Sequence, residues 1–246
     1  MTDVEIYKKL IVEEFNLNTE SEVNNSNNGI GYFKLKTTQE ELEQIKNSVN
    51  INKPIFSNKD WNLVRHPLPW IVYLTNHPRY DSSILPKIPQ YSFDAKDRII
   101  LNKGHLVAKN FKRYLVRDDK HVKFFDKNNI RNIILQFSNI NSSTDGYRGQ
   151  SYFETKVRNY LKNHENMYYK IVPKFLDEGD KVPVGCELIA FGEEAQVKDF
   201  NLEEKVPYHV FIPNVGTEKF WKDFEEKRGN QLTEEDIREF YKEASF

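Results

Sequence analysis

The chain has 246 residues, of which 38% are hydrophobic, 13% aromatic and 30% charged; that composition builds a folded core and excludes disorder throughout. Lys and Arg number 36 against 37 Asp and Glu, so the net charge is −1, which taken whole argues against a nucleic-acid partner. A single cysteine, Cys186, excludes an intramolecular disulfide and a Cys-rich zinc site.

In chain order, Val4, Ile6, Tyr7, Leu10, Ile11 and Phe15 recur at helical spacing and predict a first amphipathic helix ending before Asn16. The start, Met1-Thr2-Asp3-Val4-Glu5, is acidic and leads into no apolar core. No secretory signal is therefore expected, and the location is cytoplasmic or reached by a signal-independent route. Residues 16–28, rich in Asn, Ser and Glu, read as a loop. Thr38-x-x-Glu41 is a capping-box pattern that opens a helix reaching about Val49. Six prolines, Pro54, Pro67, Pro69, Pro78, Pro86 and Pro89, keep helices short or absent in the following stretch. Apolar runs such as 99–101 and 133–135 are far shorter than the roughly 20 residues of a membrane span, and none is expected.

From Asp97 the texture changes. Arg98 to Leu101 predicts a strand leading into Asn102-Lys103-Gly104-His105, then a basic segment to Lys127, an apolar piece from Ile133 to Phe137 and a loop from Ser142 to Gly149. A helix is predicted from about Tyr152 to Leu161, with strands at Tyr168–Val172, Glu187–Phe191 and Tyr208–Ile212. Phe220, Trp221 and Phe224 form a helical stripe stopped near Gly229, and Thr233 begins a last helix. Strands with segregated helices give an α+β fold. The expected divisions are 1–90, an accessory region of helices and Pro-rich loops; 91–215, the core; and 216–246, acidic C-terminal helices.

Charge is distributed unevenly along this plan. Residues 96–174 hold 17 Lys and Arg against seven Asp and Glu, a surplus of ten positive charges, and the remainder carries −11. A block of that sign over strands and a loop has the electrostatics of a polyanion-binding face. Inside it lies Lys103-Gly104-His105, followed by Asn132-x-x-x-Gln136-x-x-x-x-Asn141 and then Glu154-x-x-x-Arg158. Phosphodiester hydrolysis needs a base for water and a hard cation for the phosphate. A neutral imidazole at His105, after a strand and a tight Gly turn, suits the first need. The carbonyl oxygen of Asn141 suits magnesium. Glu154 and Arg158, four apart on one helix face, can orient a metal-bound water and hold a phosphate. Each residue alone has a plain alternative: Asn132 and Asn141 as turn residues, Glu154 with Arg158 as an exposed helix pair, and His105 as structural. Their order and spacing make the combination specific.

This pattern resembles the DNA/RNA non-specific endonuclease family of ββα-metal nucleases, and within it the streptococcal secreted and DNA-entry branch. The family signature is Asp-Arg-Gly-His, Asn-x-x-x-Gln-x-x-x-x-Asn, and a helix with Glu and Arg four apart. The resemblance covers about residues 95–215 and implies a ββα-metal core with a central antiparallel sheet. It further implies His105 as general base, Asn141 as direct Mg²⁺ ligand (Mn²⁺ as substitute), and Glu154 as a ligand through water. Asn132 would help position the loop and the phosphate, and Arg158 would bind substrate or stabilise the transition state; Lys103 and Gln136 are the further substrate-binding candidates. The chain departs from the signature at Asn102, in place of Asp, and at Lys103, in place of Arg, which keeps the charge without the bidentate fork. The family's upstream arginine has no assigned match; Arg79 and Arg98 are both candidates.

The reading is a metal-dependent, sugar-non-specific endonuclease acting on DNA and also RNA, whose products carry 5′-phosphates as the resemblance implies. Two other classes stay open. One is a catalytically weakened nucleic-acid-binding module; the other is a protein-interaction partner such as a toxin partner or inhibitor. A nuclease also needs restraint, for which a cognate inhibitor or immunity protein, or occlusion by the acidic C-terminal segment, is expected. His77-Pro78-Arg79-Tyr80-Asp81 reads as a surface loop, and Cys186 as a buried thiol.

Overall fold

In a computed structural model, residues 19–23, 31–57, 67, 69–86, 101–118, 122–142, 148–177, 180, 182–201, 205–216, 222–223, 225–227, 229 and 233–243 are described. Among them the strands are β1 (Thr19–Val23), β2 (Tyr32–Leu35), β3 (Ile55–Phe56), β4 (Trp70–Thr75), β5 (Leu101–His105), β6 (Ile133–Phe137), β7 (Asn166–Lys174), β8 (Gly185–Gly192) and β9 (Tyr208–Pro213). The helices are α1 (Gln39–Ser48), α2 (Lys112–Leu115), α3 (Ser138–Ser142), α4 (Gln150–Leu161) and α5 (Glu234–Glu243). Seven strands form one antiparallel sheet in the order β1-β2-β9-β8-β7-β4-β3, and β5 pairs with β6 in a separate two-stranded sheet. The fold is α+β, with β5, β6 and the helices after them forming the ββα unit.

The large sheet is covered on both faces, which is why its strands are apolar on both sides. Along β7, Met167, Tyr169 and Ile171 join the main core with Phe153, Val157 and Leu161 of α4, whereas Tyr168 turns to the other face and meets Leu42 and Ile45 of α1. Alternation of period two places these neighbours on opposite faces. Helix α1 begins as its capping pattern requires: the Thr38 hydroxyl accepts from the Glu41 amide at 3.2 Å.

Ions as well as apolar contacts pin α1. Lys170 Nζ lies 3.0 Å from Glu41 Oε1 and 3.3 Å from Glu187 Oε1, Lys174 lies 3.0 Å from Glu187 Oε2, and His209 stands between the two carboxylates. Burial pushes Glu187 up, but the His209 hydrogen bond and the charges of Lys170 and Lys174 outweigh it and hold the carboxyl well below its ordinary range. A depressed carboxyl stabilises the fold above its unfolded pKa, and that contribution is lost as the pH falls through the folded value. Glu187→Leu removes the carboxylate bonded by Lys174 and one of the two bonded by Lys170 and should cost about 3 kcal/mol, read as a lower urea midpoint at pH 7.

Several expectations are corrected. Residues 16–28 are not a plain loop, because Thr19–Val23 pair with β2 as an edge strand, a place where polar and charged residues are favoured. Trp70–Thr75, inside the Pro-rich stretch, is a strand paired to β7, with Pro69 just outside its start. Strand β5 runs to His105 itself, so Gly104 is a paired strand residue opposite Ile134 and no Gly turn precedes the histidine. Strands β1 to β4 belong to the same sheet as β7 to β9, so a boundary at residue 90 runs through one sheet. Helix α4 starts at Gln150, two residues before the expected point. The first helix, the Arg98 end of the β5 prediction, residues 143–147 of the loop and the Phe220, Trp221 and Phe224 stripe lie outside the described residues. Gly229, at φ +74°, stands where the stripe was expected to stop. Thr233 caps α5 by accepting from the Asp236 amide at 3.2 Å.

Two polar side chains tie the ββα unit to the large sheet. Trp70 Nε1 donates to the Arg131 carbonyl at 2.8 Å. Asn214, 1% exposed just beyond β9, accepts from the Phe137 amide at 3.0 Å and donates to the carbonyls of Leu135 at 2.9 Å and Pro183 at 2.7 Å. Its carboxamide thus takes the place of a strand neighbour along β6. From α5, the ring of Phe240 stacks on Phe137 with centroids 5.9 Å apart.

Candidate active site

His105 ends β5 and is partly buried. Its Nε2 lies 3.0 Å from the Phe125 carbonyl. A carbonyl only accepts, so Nε2 carries the proton and Nδ1 presents a lone pair; no described residue bonds Nδ1. Burial lowers the His105 pKa below 6.5, Lys109 lowers it further, and the Phe125 carbonyl and Asp126 oppose them. The ring is therefore neutral at pH 7, in the tautomer a base requires.

Asn132 explains why Phe125 is where it is. The side chain is fully buried: Oδ1 accepts from the Val107 amide at 2.7 Å, and Nδ2 donates to the carbonyls of Val107 at 3.1 Å and Phe124 at 3.3 Å. The Asn132 carbonyl also accepts from the Leu106 amide at 2.8 Å. One residue thus clamps the segment after His105 and the residue before Phe125. Its amide is spent on backbone, and the geometry offers it no atom for a phosphate.

On the other side of Gly104, oxygens converge. A Cβ at Gly104 would fall 2.8 Å from Gln136 Cδ, 3.0 Å from Asn141 Oδ1 and nearer still to Gln136 Oε1, so only glycine leaves this hollow open. Gln136 is 1% exposed and its Oε1 is buried with no hydrogen-bond partner. Asn141, on α3 directly after β6, is partly exposed, and no described residue bonds its side chain. A buried orphan oxygen beside an unengaged amide oxygen is a donor set that a hard cation satisfies.

Helix α4 brings the carboxylate. Glu154 accepts from Gln150 Nε2 at 2.8 Å. Burial pushes its carboxyl up to about 7, against the Gln150 hydrogen bond and the Arg158 charge, which pull it down. Arg158 donates from Nη2 to Thr155 Oγ1 at 2.7 Å, while its Nε is buried without a partner. Lys103 turns instead to Asn128, 3.2 Å away, and Asn102 is exposed. Arg79 is exposed in its surface loop, and Arg98 lies outside the described residues.

Sequence reasoning missed Gln150. Its Nε2 donates to the carbonyls of His105 and, at 3.3 Å, Leu106, and its Oε1 accepts from Gln136 Nε2 at 2.7 Å. The signal present was its place four residues before Glu154 on the same helix. Among the described residues, Glu41, Glu187 and His209 also bring ligand atoms within 4.8 Å of one another. The Lys170 ammonium already bonds both of those carboxylates, so this cluster holds its cation covalently attached. Cys186 is buried, and burial raises its thiol far above the usual range, which leaves no nucleophile there. No described helix is long and apolar enough to cross a membrane.

The family described as DNA/RNA non-specific endonuclease matches residues 15–227. Among solved structures, NucA from Streptococcus agalactiae with no metal bound aligns at 20% identity over 85% of this chain and 89% of its own, with a TM-score of 0.54. NucA with magnesium bound aligns equally well, over 88% of its own chain. A structure titled extracellular endonuclease aligns at 16% identity and a TM-score of 0.39 over 66% of this chain and 78% of its own. No curated protein matches the chain.

Proposed function

Because this chain belongs to the DNA/RNA non-specific endonuclease family, enzymes that hydrolyse phosphodiester bonds, we propose that it cuts DNA, and RNA as well, by attack of a water deprotonated at His105 Nδ1. The single observation that carries the reading is the Nε2 contact with Phe125, which leaves Nδ1 unprotonated on a neutral ring. Asn141 Oδ1 would hold a divalent cation directly, with Gln136 Oε1 next to it at the Gly104 hollow and Glu154 acting through a water. Magnesium is favoured by hard oxygen donors and by its presence in one NucA structure. A bound cation supplies positive charge to the scissile phosphate and its leaving oxygen. Arg158 would take a phosphate oxygen through its guanidinium, and Lys103 would supply longer-range attraction. The expected products carry 5′-phosphate and 3′-hydroxyl ends.

Incubation with plasmid DNA and with RNA, with and without EDTA, tests the reading: cleavage of both in Mg²⁺ and of neither in EDTA is expected, and no cleavage in Mg²⁺ or Mn²⁺ would sink it. Binding without hydrolysis, falling steeply with salt, would instead select a nucleic-acid-binding module.

Glu154 makes cation binding pH-dependent. With its carboxyl pushed up to about 7, the cation-free protein holds a proton there below pH 7 that a cation must displace. Mn²⁺ affinity should therefore fall about tenfold per pH unit below 7 and level off above 8. In the cation-free protein the sign for stability is opposite to that of Glu187. A raised carboxyl stabilises fully below its unfolded pKa, and the contribution disappears as the pH rises through about 7. Titration of Mn²⁺ by electron paramagnetic resonance at pH 5.5, 6.5 and 8 measures the first effect; equal affinities would remove Glu154 from the cation's surroundings.

A further inference from the structure

We propose that Gln150 is a positioning residue of the cleavage reaction, its carboxamide fixing the end of the strand that carries His105 and the Glu154 carboxylate in one relation to each other. The inference rests on the endonuclease reading above and adds a residue that neither the motif nor the cation chemistry requires.

Gln150 opens α4, where a glutamine side chain would ordinarily be solvated, yet it is 2% exposed. Its Nε2 faces three acceptors: the carbonyls of His105 and Leu106 and Glu154 Oε1. Two of these are backbone carbonyls, so the nitrogen and not the oxygen must point there. The opposite end is specified as firmly, because Gln150 Oε1 accepts from Gln136 Nε2. With both ends committed, the plate has one orientation. It also orients Gln136, whose remaining oxygen is turned to the Gly104 hollow beside Asn141.

The consequence is mechanical. Glu154 rides on α4 and His105 on β5, which belong to different elements with no backbone hydrogen bonds between them. Gln150 is the plate that bonds both. A glutamate here would set a second carboxylate against two carbonyls and Glu154. A methionine keeps the volume and loses every bond. A displacement of about 1 Å between reacting groups costs on the order of 100-fold in rate, and loss of an outer support of a cation site costs roughly 10- to 100-fold in affinity or activity.

The test compares full-length wild type, Gln150→Met and Gln136→Met, each checked for folding by circular dichroism. For Gln150→Met, kcat on plasmid DNA should fall about 10- to 100-fold with KM for DNA within about twofold. Its Mn²⁺ affinity, read by electron paramagnetic resonance without DNA, should fall at least about fivefold. Gln136→Met, which frees the Gln150 plate to turn and also removes an oxygen beside Asn141, should move both readouts in the same direction by at least as much. A kcat per folded molecule within twofold of wild type, with only a lower melting temperature, overturns the proposal and leaves Gln150 a packing residue. If Gln150→Met does not fold, Gln150→Asn, which keeps the amide but is one methylene too short, replaces it with the same criteria. Should wild type fail to cleave, the endonuclease reading falls, and the Mn²⁺ titration still decides whether Gln150 supports the Glu154 side of the site.

Discussion

His105→Ala should reduce DNA cleavage by about 10²- to 10⁴-fold while leaving the melting temperature within a few degrees and DNA affinity unchanged. The ring makes one hydrogen bond to the rest of the protein, to the Phe125 carbonyl, and is only partly buried. Its removal therefore costs little packing, and the unpaired carbonyl lies beside the space that water then fills. Affinity for DNA resides in the cations of the basic segment and not in a neutral imidazole. The sharper variant is His105→Asn, which retains a donor for Phe125 but presents no basic nitrogen. Equal loss in both variants assigns the effect to the base, whereas recovery in His105→Asn would make the ring a structural support. Both are read as initial rates beside anisotropy measured in EDTA.

Asn132→Ala should cost about 3 kcal/mol of stability, because it strands the Val107 amide and loosens the Val107 and Phe124 carbonyls in a site with no water access. Activity should fall with it by at least about tenfold even at temperatures where the variant is folded, since the Phe125 carbonyl that orders the imidazole is held through Phe124. The pairing of effects separates this residue from His105: one variant loses rate alone, the other loses rate and stability together. Urea titration alongside turnover at 15 °C measures both, and full stability with lost activity would return Asn132 to direct contact with the phosphate.

The candidate site residues could be singled out in the sequence by residue type and order together: His105, Gln136, Asn141, Glu154 and Arg158 fall on β5, β6, α3 and α4, and Asn132 immediately precedes β6. So could α1, from the Thr38 capping pattern, and β7 to β9, from apolar runs bounded by turn residues. What stayed hidden depends on neighbours far away in the chain. Strand β4 lies among prolines that suggest a loop, and only its pairing with β7 shows that the prolines flank the strand and leave its interior clear. A glycine before His105 suggests a turn, whereas the missing side chain of Gly104 makes room for Gln136 and Asn141, which arrive from β6 and α3. Asn132 matched a family position, but its work on backbone amides and carbonyls 8 to 26 places away in the chain is invisible to spacing alone. Gln150 escaped notice because an amide at a helix start is usually solvated; its burial is a tertiary fact.

The uneven charge also takes on a place in the fold. Lys170 and Lys174, counted within the basic block, are paired with Glu41 and Glu187 on the α1 face. They belong to the attachment of a helix and are not available to a polyanion. The attraction open to a phosphate chain is therefore smaller than the surplus of ten suggests.

Asn214 has a consequence in time. Strand β6 is flanked on one side by β5 and on the other by a side chain encoded far downstream. During synthesis, which proceeds at roughly 5 to 20 residues per second, every element of the ββα unit leaves the ribosome several seconds before the residue that seats it. A nascent chain carries the candidate site residues without the joint that holds β6 in place.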